Sequence, residues 1–490
     1  MPMNLNSVKT NALLNFLKTF MSLVFPVITF AYASRILLVE GIGQINFSKN
    51  IVQYFSMFAT LGTTTYGIRE GARIRDNKLK LSKFVHEIFF INIITILISY
   101  IAFFFALRHL HKLDAYINLL LINGITILAT PLGVEWFYGA IENYKYITYR
   151  SIIFQIISLV LMISLVKTKE DIYIYAGITV FSSVGSNVLN FFHLKKYIII
   201  KPIGNYHITR HIKPLLVFFA STVSSSIYLM LDTTMLGILT DDTSVGLYSA
   251  ANKMTKVITS VIVSIGAVLL PRASYYIKDG NLKSYNLILD KAFHIILMIT
   301  LPTFIIMFFF SSHILMLFSG HAFIDANSTA KWLSCIIVLI PYSTLFSNMI
   351  FFPLGKEKYQ LTTTILGAAT NFFSNYFLIP RFADKGAAVG TVIAETCVLI
   401  SSIILANKSY KFREVFTSFR NYLIGALLMC ICIYNLNHLF SSSLLKLFIS
   451  GGISMLVYFS VLFILKDQYL KEIIADMSKL ISKKLSRSNI

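Results

Sequence analysis

The stretch VHEIFFINIITILISYIAFFFAL, residues 85–107, decides the fold. It holds one charged side chain, Glu87, in 23 positions. A helix of about 20 apolar residues crosses the roughly 30 Å hydrocarbon core of a bilayer, whereas a barrel strand needs only about 10. In lipid each backbone N–H and C=O must be paired within the protein, and a helix does this within one segment. Working outward, similar runs fill the chain, at 12–34, 44–66, 85–107, 116–138, 148–166, 172–193 and 214–238 in the first part. They continue at 245–270, 292–318, 328–352, 360–380, 386–406, 421–440 and 444–465. The second and eighth are the least hydrophobic. No polar block between them is long enough to fold separately. The first run, after Asn11, exceeds 20 residues, beyond the 7–15-residue core of a cleavable signal, so it is read as a membrane helix.

Composition agrees. Of the 490 residues 56% are hydrophobic and 13% charged, with a mean hydropathy of +0.71, whereas soluble domains carry about 25% charged residues. The formal charge of +21 would suggest nucleic acid in a soluble protein. In a membrane protein it reflects basic loops held on the cytoplasmic side, and no nucleic-acid partner is expected. With the N-terminus inside, 30 Lys and Arg fall on cytoplasmic segments and 9 on outside loops. The remaining four, Lys18, Lys49, Lys253 and Lys256, lie within spans. This partition predicts an even number of spans, about fourteen, with both termini in the cytoplasm. The outside loops are short, which leaves no room for an extracytoplasmic catalytic domain. Cys335, Cys397, Cys430 and Cys432 all lie in apolar runs and are read as unpaired thiols, with no metal site expected. The tail from Asp467 sets Leu470, Ile473, Ile474, Met477, Leu480, Ile481 and Leu485 at helical spacing between lysines, an amphipathic pattern suited to anionic lipid at the inner surface.

A weak internal repeat appears at an offset of 203 residues. GQINFSKN, from Gly43 to Asn50, matches GLYSAANK, from Gly246 to Lys253, and Arg69 falls on Arg272. Parallel duplication of six-helix halves is a transporter architecture with its substrate site between the halves. The expected fold is an all-α polytopic membrane protein of about fourteen transmembrane helices. Two pseudo-repeated six-helix bundles surround a central cavity, and two C-terminal helices are added. The boundaries expected are 1–213 and 214–406 for the bundles, 407–466 for the additional helices and 467–490 for the cytoplasmic amphipathic tail.

Ionisable and amide side chains inside spans are costly, so they mark interior cavities or partners. Asn11, Asn15, Lys18 and Ser22 share one face of the first span, with Pro26 beyond them expected to kink the helix. The second span presents Asn46, Lys49, Gln53 and Ser56, and the seventh Ser221, Ser225, Tyr228 and Asp232. The eighth carries Lys253, Lys256 and Ser260, and the eleventh Thr364, Asn371 and Asn375. Four lysines describe a cationic, hydrated cavity whose natural guest is an anion with several oxygens. Asn15, Gln53, Ser221, Ser225, Asn371 and Asn375 supply its polar lining. The competing reading has Lys18 and Lys49 snorkelling to the interfaces; it applies least to Lys256, about halfway down its helix. Asp232 and Glu395 are the candidate ion- or proton-coupling carboxylates, with pairing to a cavity lysine preferred for Asp232. Glu135, near the inner end of the fourth span, could likewise carry a coupling proton or sodium or pair with a cavity lysine, and Glu87 is read as interfacial. No GxxxxGK[ST] loop, HExxH or paired-Cys zinc motif occurs, so neither cofactor nor ATP-driven transport by this chain alone is expected.

The segment from Thr364 to Glu395, with Asn371, Asn375, Pro380 and GAAVGTVIAE (386–395), resembles the polysaccharide-export branch of the multidrug/oligosaccharidyl-lipid/polysaccharide (MOP) flippases. WFYGAIENYK (136–145) ahead of Arg150, and GIGQINFSKN (41–50), are similar to the same branch. The resemblance covers essentially the whole chain. It implies a Wzx-type O-antigen or capsule flippase of the bacterial inner membrane. Such a protein carries an undecaprenyl-diphosphate-linked oligosaccharide from the cytoplasmic to the periplasmic leaflet by alternating access. Membrane lipids and other polysaccharide-assembly proteins are the further partners implied. In related lipid II flippases basic residues of spans 1, 2 and 8 surround the diphosphate, and Lys18, Lys49 and Lys253 or Lys256 occupy comparable places, although those relatives more often show arginine. Two alternatives stand beside this one. A cation-coupled multidrug exporter of the same superfamily would have twelve spans and an acid-dominated cavity. A membrane glycosyltransferase or O-antigen polymerase would show a long periplasmic loop or an acidic pair at a membrane edge; the outside loops offer neither, and Asp241 and Asp242 lie in a loop too short for a site.

Overall fold

The computed structural model describes residues 5–407, 419–436, 445–475 and 478, and every element among them is helical. The chain forms two compact units, Met1–Ser249 and Ala250–Ile490. The first holds α1 (Leu5–Thr60), α2 (Thr63–Ile74), α3 (Lys78–His109), α4 (Ile117–Leu132) and α5 (Glu135–Ala140). It continues with α6 (Tyr144–Leu165), α7 (Ile172–Val180), α8 (Ser186–Leu194), α9 (Thr209–Leu239) and the opening turns of α10 (Asp242–Lys278). The second unit takes the rest of α10, then α11 (Leu282–Phe309), α12 (Ser311–Ser319), α13 (Asn327–Ser334) and α14 (Ile336–Phe346). It ends with α15 (Glu357–Asn407), α16 (Phe419–Leu436) and α17 (Gly451–Ile464).

Residues 85–107 lie in α3, and their burial is inside out relative to a soluble helix. Leu97, Ile98 and Ile101 are 58%, 60% and 70% exposed, while Asn92 and Ser99 are 0% and 3% exposed. Such a helix is stable only where its outward surface meets hydrocarbon. Among the described residues eleven helices are long and apolar enough to cross a membrane, or twelve if the bent pair Thr209–Ser224 and Ser226–Leu239 forms one span. The fold is therefore all-α and polytopic. The fourteen crossings expected from sequence exceed that count because of two long helices. Leu13–Ile74, which runs through α1 into α2, has 62 residues, and Glu357–Asn407, which is α15, has 51. Each is interrupted by non-helical backbone, at Leu38 (φ 58) and at Ala383 (φ 49).

The internal repeat has a structural counterpart inside the first unit. A Cβ on Gly43 would overlap the carbonyl oxygen of Asp242, and a Cβ on Gly246 would overlap that of Val39. The two contacts exchange under the same offset, since 242 − 39 and 246 − 43 both equal 203. Only a residue without a side chain permits backbones to approach this closely, which is why glycine stands at both places. A short 3₁₀ turn also leads into a membrane helix twice, His111–Tyr116 before α4 and His321–Ala326 before α13.

Each unit has its own packed centre. Tyr66, Phe84, Trp136, Phe137 and Leu215 anchor the first. Tyr285, Phe293, Phe346, Tyr422 and Tyr458 anchor the second, so α16 and α17 pack against α11. The start of the C-terminal tail joins this centre: Leu470 is buried, Tyr469 stacks on His294 at 4.2 Å, and Lys291 pairs with Glu472 at 3.0 Å. Lys479, Lys483, Lys484 and Arg487 lie outside the described residues.

Candidate functional site

Lys18 sits on α1 within an otherwise apolar run, and Asn15 on the same helix is exposed. The chain leaves α4 through Gly133 and Val134, the latter at φ 40, and this turn starts α5 with Glu135. The Glu135 carboxylate bridges two cations, with Lys18 Nζ on Oε1 and Arg150 Nη2 3.9 Å from Oε2. Lys18 and Glu135 are 27% and 43% exposed, while the Arg150 side chain is 4% exposed. Lys18 therefore holds a carboxylate partner, Glu135, on another helix. The signal lay in the sequence, where Glu135 directly precedes the WFYGAIENYK segment that ends five residues before Arg150.

The second arm of α1 separates two sets of polar side chains. Lys49 and Gln53 are exposed, and Lys49 has no ion-pair or hydrogen-bond partner among the described residues. Ser56 turns inward and shares a hydrogen bond with Thr126 of α4 at 3.1 Å. Asn50 and Tyr54 point to α9: Asn50 Nδ2 donates to the Met230 carbonyl at 2.8 Å and to Thr234 Oγ1 at 2.7 Å, and Tyr54 meets the same hydroxyl at 2.9 Å. Between Met230 and Thr234 in the chain, Asp232 is 7% exposed and accepts from Tyr248 at 2.5 Å. These links from Asn50 and Tyr54 to α9 were not singled out from sequence, because a polar stripe does not say which helix it meets. The side chains of Ser221 and Ser225 lie outside the described residues.

In the second unit, Lys253 and Lys256 are half-buried on α10, one turn apart. Thr255 and Thr259 between and beyond them are buried and donate to carbonyls one turn back, at 2.8 Å each. Asn371 and Asn375 are 1% and 0% exposed and are joined at 3.2 Å. A Cβ on Gly390 would collide with Asn375 Oδ1. The two amides thus lie in the packed seam between the arms of α15 rather than on an open surface. Glu395 lies on the second of these arms, 8% exposed.

Two acidic features have structural duties. Asp241 accepts the Ser244 N–H at 2.8 Å and caps α10, and Asp242 accepts from Tyr116 at 2.7 Å. The Ser244 N–H and hydroxyl hold the Asp241 carboxyl below its usual range, helped by Lys112. Glu87, read as interfacial, is fully buried within the protein: it accepts from His207 N at 2.7 Å, Arg210 at 2.7 Å and His211 at 2.8 Å. A carboxylate in lipid needs such donors, and its position nine residues after Lys78 did not reveal partners 120 residues onward.

These features define a polytopic membrane protein with charged side chains set into apolar helices. The profile of the family described as "Polysaccharide biosynthesis protein" matches residues 8–277, and that of MatE matches residues 218–377. The chain belongs to the polysaccharide biosynthesis protein family, and its resemblance to the polysaccharide-export members of the MOP superfamily is borne out. A relative from Shigella dysenteriae named "Putative O-antigen transporter" is 21% identical over 397 residues, 80% of this chain and 98% of its own. The solved structure of the lipid II flippase MurJ in an inward closed conformation has the same fold, with a TM-score of 0.74 and 16% identity over 92% of this chain and 99% of that one. An inward-facing multidrug resistance MATE family transporter gives a TM-score of 0.56 and 15% identity over 78% and 92% of the two chains.

Proposed function

We propose that the chain is a flippase that carries an undecaprenyl-diphosphate-linked oligosaccharide, an O-antigen or capsule repeat unit, from the cytoplasmic to the periplasmic leaflet. It works by alternating access, without a cofactor and without catalytic chemistry on the sugar. Dividing the two long helices at Leu38 and Ala383 supports fourteen crossings, and the 30-to-9 charge partition supports cytoplasmic termini in the bacterial inner membrane.

The observation that carries the reading is Lys49. An exposed ammonium on a membrane helix, with no partner among the described residues, is expensive unless water or an anion meets it. The substrate supplies that anion as a diphosphate, which Lys18, Lys49, Lys253 and Lys256 bind as point charges. Asp232 and Glu395 then serve ion or proton coupling. The MatE match and the MATE fold support a second reading, a cation-coupled multidrug exporter. Expression in a bacterium deprived of its own O-antigen flippase tests the two. Restored surface polysaccharide with unchanged drug sensitivity supports the flippase; drug resistance without polysaccharide supports the exporter.

A further inference from the structure

A groove of about 530 Å³ opens on the first unit between α6 and α8, lined by Lys145, Tyr149, Arg150, Ile153, Leu189 and Tyr197. Its deepest polar group is Arg150. The side chain is 4% exposed, and its one ion pair among the described residues, to Glu135, is a long one at 3.9 Å. Its Nε and Nη1 are buried without a hydrogen-bond partner among the described residues, which leaves three N–H bonds unmet there. The Tyr146 ring, 5.9 Å from Cζ, offsets part of that cost. A guanidinium that lines a groove with donors to spare suits the oxygens of a phosphate.

The groove's outer wall shows what carries that phosphate. Lys145, in the first turn of α6, is exposed. Below it Tyr149, Ile153, Ile156 and Val160 form one helical face, 52–58% exposed, that continues into the hydrocarbon. Arg150 is six residues from the start of α6, about 9 Å along the axis, a depth comparable with the headgroup layer. We propose that this groove binds an anionic phospholipid of the surrounding bilayer. Arg150 and Lys145 hold its phosphate, and its chains lie along the Tyr149–Val160 face. The site is independent of what the protein transports.

Native mass spectrometry of the purified full-length protein tests this with phosphatidylglycerol, phosphatidylcholine, farnesyl diphosphate and inorganic phosphate as probes. Phosphatidylglycerol is expected to be retained over phosphatidylcholine. Arg150→Gln is expected to lower that retention about tenfold, the loss of charge-assisted hydrogen bonds, with phosphatidylcholine retention unchanged. Lys145→Glu, at an exposed position, makes the same test should Arg150→Gln fail to fold. Wild-type retention by either folded variant overturns the proposal. So does displacement by inorganic phosphate, which would mark a free-anion site. So does a loss confined to farnesyl diphosphate, which would assign the groove to the prenyl carrier.

Discussion

Replacing Glu135 by glutamine should weaken the protein and strengthen its hold on a diphosphate. Glu135 is the carboxylate that Lys18 engages, and it also lies 3.9 Å from Arg150. Lys18 and Glu135 are 27% and 43% exposed, so solvent screening limits their pairing to about 0.5–1 kcal/mol. A diphosphate that recruits Lys18 must displace Glu135 first. Removing the competitor therefore returns that energy as a roughly two- to fivefold gain in affinity. The Arg150 side, 4% exposed, works in the opposite sense. Depriving a buried guanidinium of its carboxylate costs stability, about 1–2 kcal/mol after allowance for the exposure of Glu135. Farnesyl diphosphate binding by the purified variant, beside its thermal midpoint, reads both effects. The predicted pattern is a lower midpoint with tighter binding, and a Lys18→Gln change on top should abolish the gain. Weaker binding in folded Glu135→Gln, or equal binding by the single and double variants, would refute the reasoning.

Other outcomes follow from the same geometry. Lys49→Ala and Lys256→Ala should each cut polysaccharide export about tenfold or more at unchanged membrane levels, with Lys→Arg better tolerated; normal export by both alanine variants counts against the lysine site. Gly390→Ala forces a Cβ onto Asn375 and should cost about 1–3 kcal/mol, seen as a lower thermal midpoint; a neutral result would mean the seam of α15 is loosely packed. Asp241→Ala should cost about 1 kcal/mol near neutral pH by uncapping α10. Because the folded carboxyl sits below its ordinary value of about 4, its contribution is present above that pH and lost as pH falls through the lowered value. The gap between Asp241→Ala and wild type should therefore close in acid, and a gap independent of pH contradicts the cap.

The helical architecture was legible because hydrophobic length is a one-dimensional property. Val85–Leu107 declares a membrane helix without reference to any neighbour. The repeat was legible at Gly43 and Gly246 because a backbone-to-backbone contact tolerates so few residue types there. The breaks at Leu38 and Ala383 were placed only approximately, since neither is a proline or a glycine. The site was legible as a set of residues and not as an arrangement. A polar stripe identifies a face, but Asn371 and Asn375 meet another helix arm, while Lys49 and Gln53 on a similar stripe stay exposed. Glu135 was legible as an acid that could pair with a lysine, but not which one, because Lys18 is 117 positions away.

Transfer between leaflets in proteoliposomes measures the central claim most directly. The purified protein is reconstituted with a labelled undecaprenyl-diphosphate-linked oligosaccharide, and the label exposed on each leaflet is followed with time. Equilibration of the label is expected at a rate well above that of protein-free vesicles, with a fall of about tenfold or more when Lys49 and Lys256 are both alanine. Equilibration no faster than in protein-free vesicles, or equal rates for the wild type and the double variant, would contradict it.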